Sequence, residues 1–400
     1  MALTGPVGGP PGWPAGDVIG RLEEACWRLG EVSGRIGERV EVRSEDLLGR
    51  RAAWRGFVGR GQVSTGGRCR LLRASDGWVA VNLARSSDLD ALAALIEGPV
   101  DSSEFPSDEA GWAAVSAWVA STPASRAAAR AQLLEIPAAV LPYRRPSPRA
   151  PWSVTHVGPP TAAPKRRPLV VNLSAMWAGP LCAHLLGLAG ADVVTVEDPA
   201  RPDAARLGDP QLFELLHGGH RRVTVPFSSP AGLNELHRLL GSADVVIEGS
   251  RPRALGALGI DPARVVSSGT GKTWVSITGY GRFGPRANHV AFGDDAAVAG
   301  GLVAQGPDGP VFCGDAIADP ITGLYAALGV VSSLAAGGGH VIDCALTRAC
   351  AFANAGLGCR RKHRLDRSGE EWTVSHFGNA DWVTVRRPGS DRAAAVGPAA

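Results

Sequence analysis

Apolar and polar positions fall into two textures that meet in a proline-rich stretch. From Asp17 to Leu48 the residues Ile19, Leu22, Ala25, Cys26, Leu29 and Val32 recur at steps of three and four. That is the period of a helix with one buried face. Arg68–Arg73 and Trp78–Leu83 alternate like strands and flank Ala74-Ser75-Asp76-Gly77. An Asp-Gly pair between two such runs predicts a hairpin. Leu89–Ile96, Trp112–Ala120 and Ser125–Leu134 return to the helical period. This first unit reads as a small α+β domain with an N-terminal helix, over 17–142. Residues 1–16, rich in Gly and Pro, read as a disordered tail. Pro146, Pro148, Pro151, Pro159, Pro160 and Pro164 make 143–167 an exposed, semi-stiff linker.

Beyond the linker, short continuous apolar runs alternate with helical segments. Leu169–Leu173 and Asp192–Val196 read as buried strands around a helix at Pro180–Leu188. Such a βαβ unit implies parallel pairing. Ala243–Ile247 and Trp274–Thr278 add strands, with Ala231–Leu240 helical between earlier elements. The expected fold class is therefore α/β, a Rossmann-like doubly wound parallel sheet over 168–358, beside the smaller α+β domain. Residues 359–400 form a C-terminal extension whose end, 389–400, reads as a loose tail.

Composition narrows the function classes. Lys and Arg number 41 against 38 acidic residues, a net charge of +3. No concentrated basic surface is implied, so nucleic acid is not an expected partner. Gly, Pro or charges interrupt every apolar run before the roughly 18 residues of a membrane span, and Met1–Pro14 has no secretory pattern. Seven cysteines without C-x-x-C spacing read as buried thiols in a reducing cytoplasm.

Three motifs resemble familiar sites and fail on context. Gly279-Tyr280-Gly281-Arg282-Phe283-Gly284 fits G-x-G-x-x-G, but Pro285 follows at once and no acidic residue closes a next strand. Gly271-Lys272-Thr273 precedes a strand, and Val266 stands where a phosphate loop needs its first glycine. His217 and His220 have no third ligand nearby, and the adjacent Asp294 and Asp295 point different ways. Surface histidines and a solvated acidic turn are expected there, and no metal site.

The sharper signal is Cys313-Gly314-Asp315-Ala316-Ile317-Ala318-Asp319-Pro320, which leads into the apolar helix Leu324–Leu334. Two readings of Asp319 stand side by side. It is a helix N-cap worth about 1 kcal/mol, or it is a nucleophilic carboxylate at a strand-to-helix elbow, with helix-start amides stabilising an oxyanion.

The blocks of 168–351 taken together resemble the class III CoA-transferases, the family of formyl-CoA and carnitine-CoA transferases and, more distantly, 2-methylacyl-CoA racemases. They are Leu173–Pro180, Gly190–Glu197, His220–Val225, Ala243–Pro252, Ser276–Gly281, the Asp319 segment and Val341–Ala345, in family order. The resemblance implies a CoA-binding domain over 168–358. It implies Asp319 as the catalytic residue, ten positions before Gly329. CoA-binding positions implied in the same way are Ala175, Met176, Trp177, Ala178, His220, Arg221, Gly249, Ser250 and Phe292. The implied activity is acyl-CoA:carboxylate CoA transfer through a covalent aspartyl intermediate. Coenzyme A and acyl-CoA are substrates, with no permanently bound cofactor, and the partners are an acyl-CoA and a carboxylic acid. A cytoplasmic homodimer is expected.

Departures from the family pattern define the alternatives. The family usually carries Lys at Thr195 and His220 and often Asn at Gly249, so Arg221, Arg222 and Arg251 are expected to supply the cations. The racemase branch has Gly-His-Asp where this chain has Ala291-Phe292-Gly293, and His289 lies three residues upstream of Phe292. A CoA-dependent racemase or isomerase, or a catalytically silent CoA-binding paralogue, are the competing functions. The hairpin at Arg70–Val81 and the segment Leu134–Val140 resemble the family's small domain, which follows the CoA-binding domain in relatives and precedes it here. Gly61–Gly67 sits where some members carry a glycine loop over the acyl group.

Overall fold

The computed structural model describes residues 3–6, 8–98, 109–163, 167–356, 363–368 and 371–376. The helical run expected from Asp17 to Leu48 is two helices, α1 (Val18–Ile36) and α2 (Ser44–Arg55). Asp17 caps α1 by accepting from the Gly20 N–H, and Gly37 leaves the helical basin and closes it onto Ser33 O. The residues before α1 pack instead of trailing. Thr4 is buried, Gly61 N–H donates to Gly5 O at 3.0 Å, and Gly16 N–H donates to Asn354 Oδ1 at 3.0 Å. Those partners correct the expectation of a disordered tail.

The small unit follows. β1 (Cys69–Arg73) pairs antiparallel with β2 (Trp78–Asn82) around the Asp-Gly turn. Helices α3 (Ser86–Asp90), α4 (Leu92–Ile96), α5 (Glu109–Ala120) and α6 (Ala124–Leu133) cover the sheet that β3 (Ala138–Val140) completes beside β2. Val79, Val81, Leu92, Leu95, Val115, Ala131 and Ile136 form its core.

Strand β4 (Ser153–His156) falls inside the expected linker. The large unit then runs β5 (Leu169–Asn172), α7 (Ala178–Leu188), β6 (Asp192–Glu197), α8 (Pro210–His217), β7 (Arg221–Thr224), α9 (Pro230–Ser242) and β8 (Val245–Glu248). It continues through α10 (Pro252–Ala257), α11 (Pro262–Ser267), β9 (Thr273–Thr278), α12 (Gly293–Ala299), β10 (Val303–Gly306) and β11 (Gly309–Phe312). Helix α13 (Ala318–Ala335), β12 (His340–Ala345) and α14 (Leu346–Ala353) complete it, and β13 (His363–Ser368) pairs with β14 (Glu371–His376) in a separate hairpin. The loose tail expected at 389–400 lies outside the described residues.

The seven-stranded sheet has the order β4-β12-β9-β8-β5-β6-β7 and is parallel except for β4. Strands apolar on both faces explain this burial. Val170 faces the core of α1, α7, α13 and α14, while Val171 faces that of α9, α10 and α11. The order reverses beside β5, which opens a crevice above the carboxyl ends of β5 and β8. Helix α13, 18 residues long and apolar enough to cross a membrane, is instead a core helix with 83% of its length buried.

Two expected boundaries move. Leu22, Ala25, Cys26 and Leu29 of α1 sit in one core with Leu181, Leu324 and Ile342, so α1 belongs to the large unit. The 143–167 stretch is not wholly linker, because β4 pairs with β12 residue by residue from Ser153↔Asp343 to His156↔His340. Leu29 is fully buried. Leu29→Ala should therefore cost about 2–5 kcal/mol in urea unfolding of the large unit. A loss below about 0.5 kcal/mol would show that α1 is not part of that core.

Candidate functional site

The turn from β5 to α7 lies at the crevice. Asn172 Oδ1 accepts from both the Ser174 N–H and its hydroxyl, which folds the chain back at the strand end. Ala175 and Met176 are exposed there, whereas Trp177 and Ala178 are buried. Met176 holds a left-handed φ of 73°, fixed by its N–H donating to Asp203 Oδ1 at 3.0 Å. Gly249, at the end of β8, approaches this turn so closely that a Cβ would stand 3.5 Å from Ser174 Cβ. Ser250 N–H donates to Glu248 Oε2 at 2.7 Å. Ala175–Ala178, Gly249 and Ser250 are thus brought together.

Asp319 begins α13 beside this crevice. Ile317, not Asp319, is the N-cap residue, and no side chain caps the helix. The capping reading of Asp319 therefore fails. Its own N–H donates to Ala316 O at 2.9 Å and Pro320 has none, so neither supplies an oxyanion donor. The carboxylate keeps part of its surface open, yet desolvation and the neighbouring Asp294 push its pKa up to about 7. Gly293 lies against it: a Cβ there would overlap Asp319 Oδ2 and the Ala316 carbonyl. The racemase-branch acid cannot be accommodated at that position without displacing Asp319.

Asp294, Asp295 and Asp315 crowd the same end of α13. Asp294 accepts from Ala316 N–H at 3.0 Å, and burial followed by Asp315 lifts it to about 7. Asp295 is fully buried, accepts from Asn82 Nδ2 and Phe292 N–H at 3.0 Å each, and is lifted by burial to about 7. Asp315 accepts from Thr65 Oγ1 at 3.0 Å and pairs with Arg51 Nη1 at 3.3 Å. The expectation of a solvated acidic turn is overturned: α12 places these carboxyls against the small unit and the 61–67 loop. Among the described residues, no group of three or more His, Cys, Asp and Glu side chains is arranged to hold a metal ion.

Phe292, half-buried, immediately precedes α12, with the Arg85 guanidinium 5.9 Å above its ring. His220 and Arg221 are not at the crevice. Arg221 opens β7 opposite Val194, in the middle of β6, and its side chain is exposed. His220 packs beside Gly187 of α7, where burial and then His217 push its pKa down to about 4, leaving it neutral. His217 is itself buried, against the expected surface position. Arg251 pairs with Glu135 at 2.9 Å, so it is not an unpaired substitute for the missing lysine. His289 lies edge-on to Tyr280, with ring centroids 5.6 Å apart.

Sequence reasoning missed Arg51, Thr65, Asn82, Asp203 and Asp315 as site neighbours. Asp315 lay inside the singled-out segment, and Thr65 inside the glycine-rich one. Nothing in the local pattern marked Arg51 of α2, because its acidic partner Asp315 lies 264 residues away.

The chain belongs to the CoA-transferase family III, whose pattern matches residues 168–369. It is 30% identical over 211 residues to the succinate–glutarate CoA-transferase of Agrobacterium fabrum, covering 46% of this chain and 53% of that protein. It is 33% identical over 204 residues to the succinyl-CoA–L-malate CoA-transferase beta subunit of Chloroflexus aurantiacus, covering 47% and 50%. The crystal structure of a CaiB/BaiF family protein from Brucella suis superposes with a TM-score of 0.46 at 26% identity, covering 52% of this chain and 64% of that one. The chain spans about half the length of the curated relatives it matches.

Asp294→Asn keeps an acceptor for Ala316 N–H and removes the largest charge opposing ionisation of Asp319. The Asp319 midpoint should fall below about 7 in carboxyl carbon NMR. Because the raised folded-state pKa of Asp294 gives stability that is lost as pH rises through about 7, the variant should gain most at pH 8. We expect a gain of roughly 1–3 kcal/mol there and less at pH 5. An unmoved midpoint with equal gains at both pH values rejects the coupling.

Proposed function

We propose that the chain moves coenzyme A between an acyl-CoA and a carboxylic acid, with Asp319 as the covalent nucleophile. The observation that carries this reading is the uncapped, partly open Asp319 carboxylate at the crevice, poised by its surroundings near neutrality. Asp319 attacks the thioester carbonyl, forming a mixed anhydride and releasing CoA thiolate. The thiolate attacks the aspartyl carbonyl, giving an aspartyl-CoA thioester and the first free acid. A second carboxylate attacks that thioester to give a new anhydride and CoA thiolate. Attack of the thiolate on the new acyl carbonyl yields the new acyl-CoA and restores Asp319.

In this reading Ala175–Ala178, Gly249 and Ser250 receive CoA and Phe292 borders the reacting end. His220, neutral at pH 7, and Arg221 lie away from the crevice and take no part in it. The names of the curated relatives support transfer between a CoA thioester and a free acid. The edge-on contact of His289 with Tyr280 weighs against the racemase alternative, which needs a second base near Asp319. The six described cysteines are all free and buried, which supports a reducing compartment such as the cytoplasm. A homodimer is the assembly expected from the family resemblance.

The test is intact-protein mass after incubation with a panel of acyl-CoAs and hydroxylamine. Hydroxylamine converts an aspartyl anhydride or thioester to a hydroxamate, adding the mass of one NH group. We expect that gain on the peptide holding Asp319 in the wild type and none in Asp319→Ala. CoA binding without any adduct supports the silent paralogue, and absence of CoA binding overturns the reading.

A further inference from the structure

Helix α2 brings Arg51 to the mouth of the acidic cluster in an unusual state. Only its Nη1 is engaged, 3.3 Å from Asp315 Oδ2 and 3.4 Å from Oδ1. Nε and Nη2 meet no acceptor among the described residues. The guanidinium carbon lies over the rings of Trp177 and Phe57, 5.1 and 5.6 Å from their centroids. Its side chain is 25% exposed. A stacked guanidinium with one edge free is a preorganised fork for a planar carboxylate. Arg51 is also the cation that acts on Asp294, Asp315 and Asp319 together. An incoming acid must approach those carboxyls, and their field repels it unless a cation receives it.

Arg51 and Trp177 line one end of a half-open cavity of about 770 Å³ between α1, α2, α7 and α8. Trp27, Leu181, Leu185, Leu188, Leu212 and Leu216 give it an apolar wall. The other rim arginines sit in more exposed pairs: Arg39 with Glu31 at 2.5 Å, Arg43 with Glu45 at 2.5 Å and Arg50 with Asp46 at 3.5 Å. We propose that Arg51 and this cavity form the acid-substrate site, with Arg51 taking the carboxylate and the cavity taking an apolar body. The substrate class is thus a monocarboxylic acid with a hydrophobic chain or ring. As the acceptor site of a transfer reaction it rests on the function proposed above; as a binding site it stands alone.

The test is calorimetric titration of the full chain with decanoate, decanol and succinate. Decanoate should bind, with decanol and succinate each weaker by about tenfold or more. Arg51→Gln should erase the preference for decanoate over decanol, and Arg51→Lys should restore part of it. Leu188 is exposed at the cavity wall, so Leu188→Glu should fold normally and weaken decanoate and decanol but not succinate. Succinate binding as tightly as decanoate, or decanoate binding unchanged in Arg51→Gln and Leu188→Glu, overturns the proposal. Asp319→Ala should retain decanoate binding. Intact binding with no hydroxylamine adduct in the wild type sinks the transferase reading and leaves the site; an adduct without decanoate binding does the reverse.

Discussion

Four carboxyl groups share one end of α13, and the fold around them is organised by the cost of keeping them there. Isolated charges of one sign cannot be buried together without losing protons or finding donors. Each acid here has a specific answer. Asp295 takes Asn82 and the Phe292 amide, Asp315 takes Thr65 and Arg51, and Asp294 takes the Ala316 amide. Asp319, the one beside the crevice, has no hydrogen-bond donor among these partners. Its ionisation is therefore controlled by its neighbours, which is the condition a tunable nucleophile needs. The side-chain donors come from three places, namely the small unit, the 61–67 loop and α2, so the cluster ties those parts to α13.

The same region depends on missing side chains. Gly293 leaves the space that the Asp319 carboxylate fills, and Gly323 lets α13 pass close to Ala178 O, where a Cβ would come within 2.7 Å. Gly179 likewise makes room for Ser174. Without these contacts the α7 turn, which presents Ala175 and Met176, and the start of α13 would separate. Packing and chemistry are set here by the same three glycines.

Much of this was legible from local pattern. The alternating hairpin and the parallel strands follow from apolar period and turn chemistry and are found where those signals put them, whereas the strand before Asp319, β11, pairs antiparallel with β10 outside the parallel sheet. The failures share one cause. The described residues 3–6 and 8–16, α1 and β4 read by composition and local period as a tail, part of a small domain and a linker, but long-range partners decide their places. Gly16 bonds Asn354, α1 packs on α13, and Ser153–His156 pairs with β12. His217 and Asp295 looked like surface residues because no local period distinguishes a buried polar group from an exposed one. Arg51 was invisible for the same reason.

This dependence on distant partners bears on the order of the two units along the chain. The resemblance drawn from the sequence implies a small module after the large one, whereas here the small unit comes first. The cross-unit contacts run through side chains and loop backbone spread over both units and not through the segment that connects them. Asn82 reaches Asp295, Gln132 holds the Val290 backbone through both its amide atoms, and Glu135 receives Arg251. Glu135 is drawn down to about 2 by its hydrogen bonds from Arg251 and Arg253, so this link stays ionised through the range where Asp319 titrates. A module docked by such contacts needs only to be near, and either end of the large unit can deliver it. What the early position adds is α2, carried on the segment just before β1, and with it the one guanidinium that faces both the acids and the cavity.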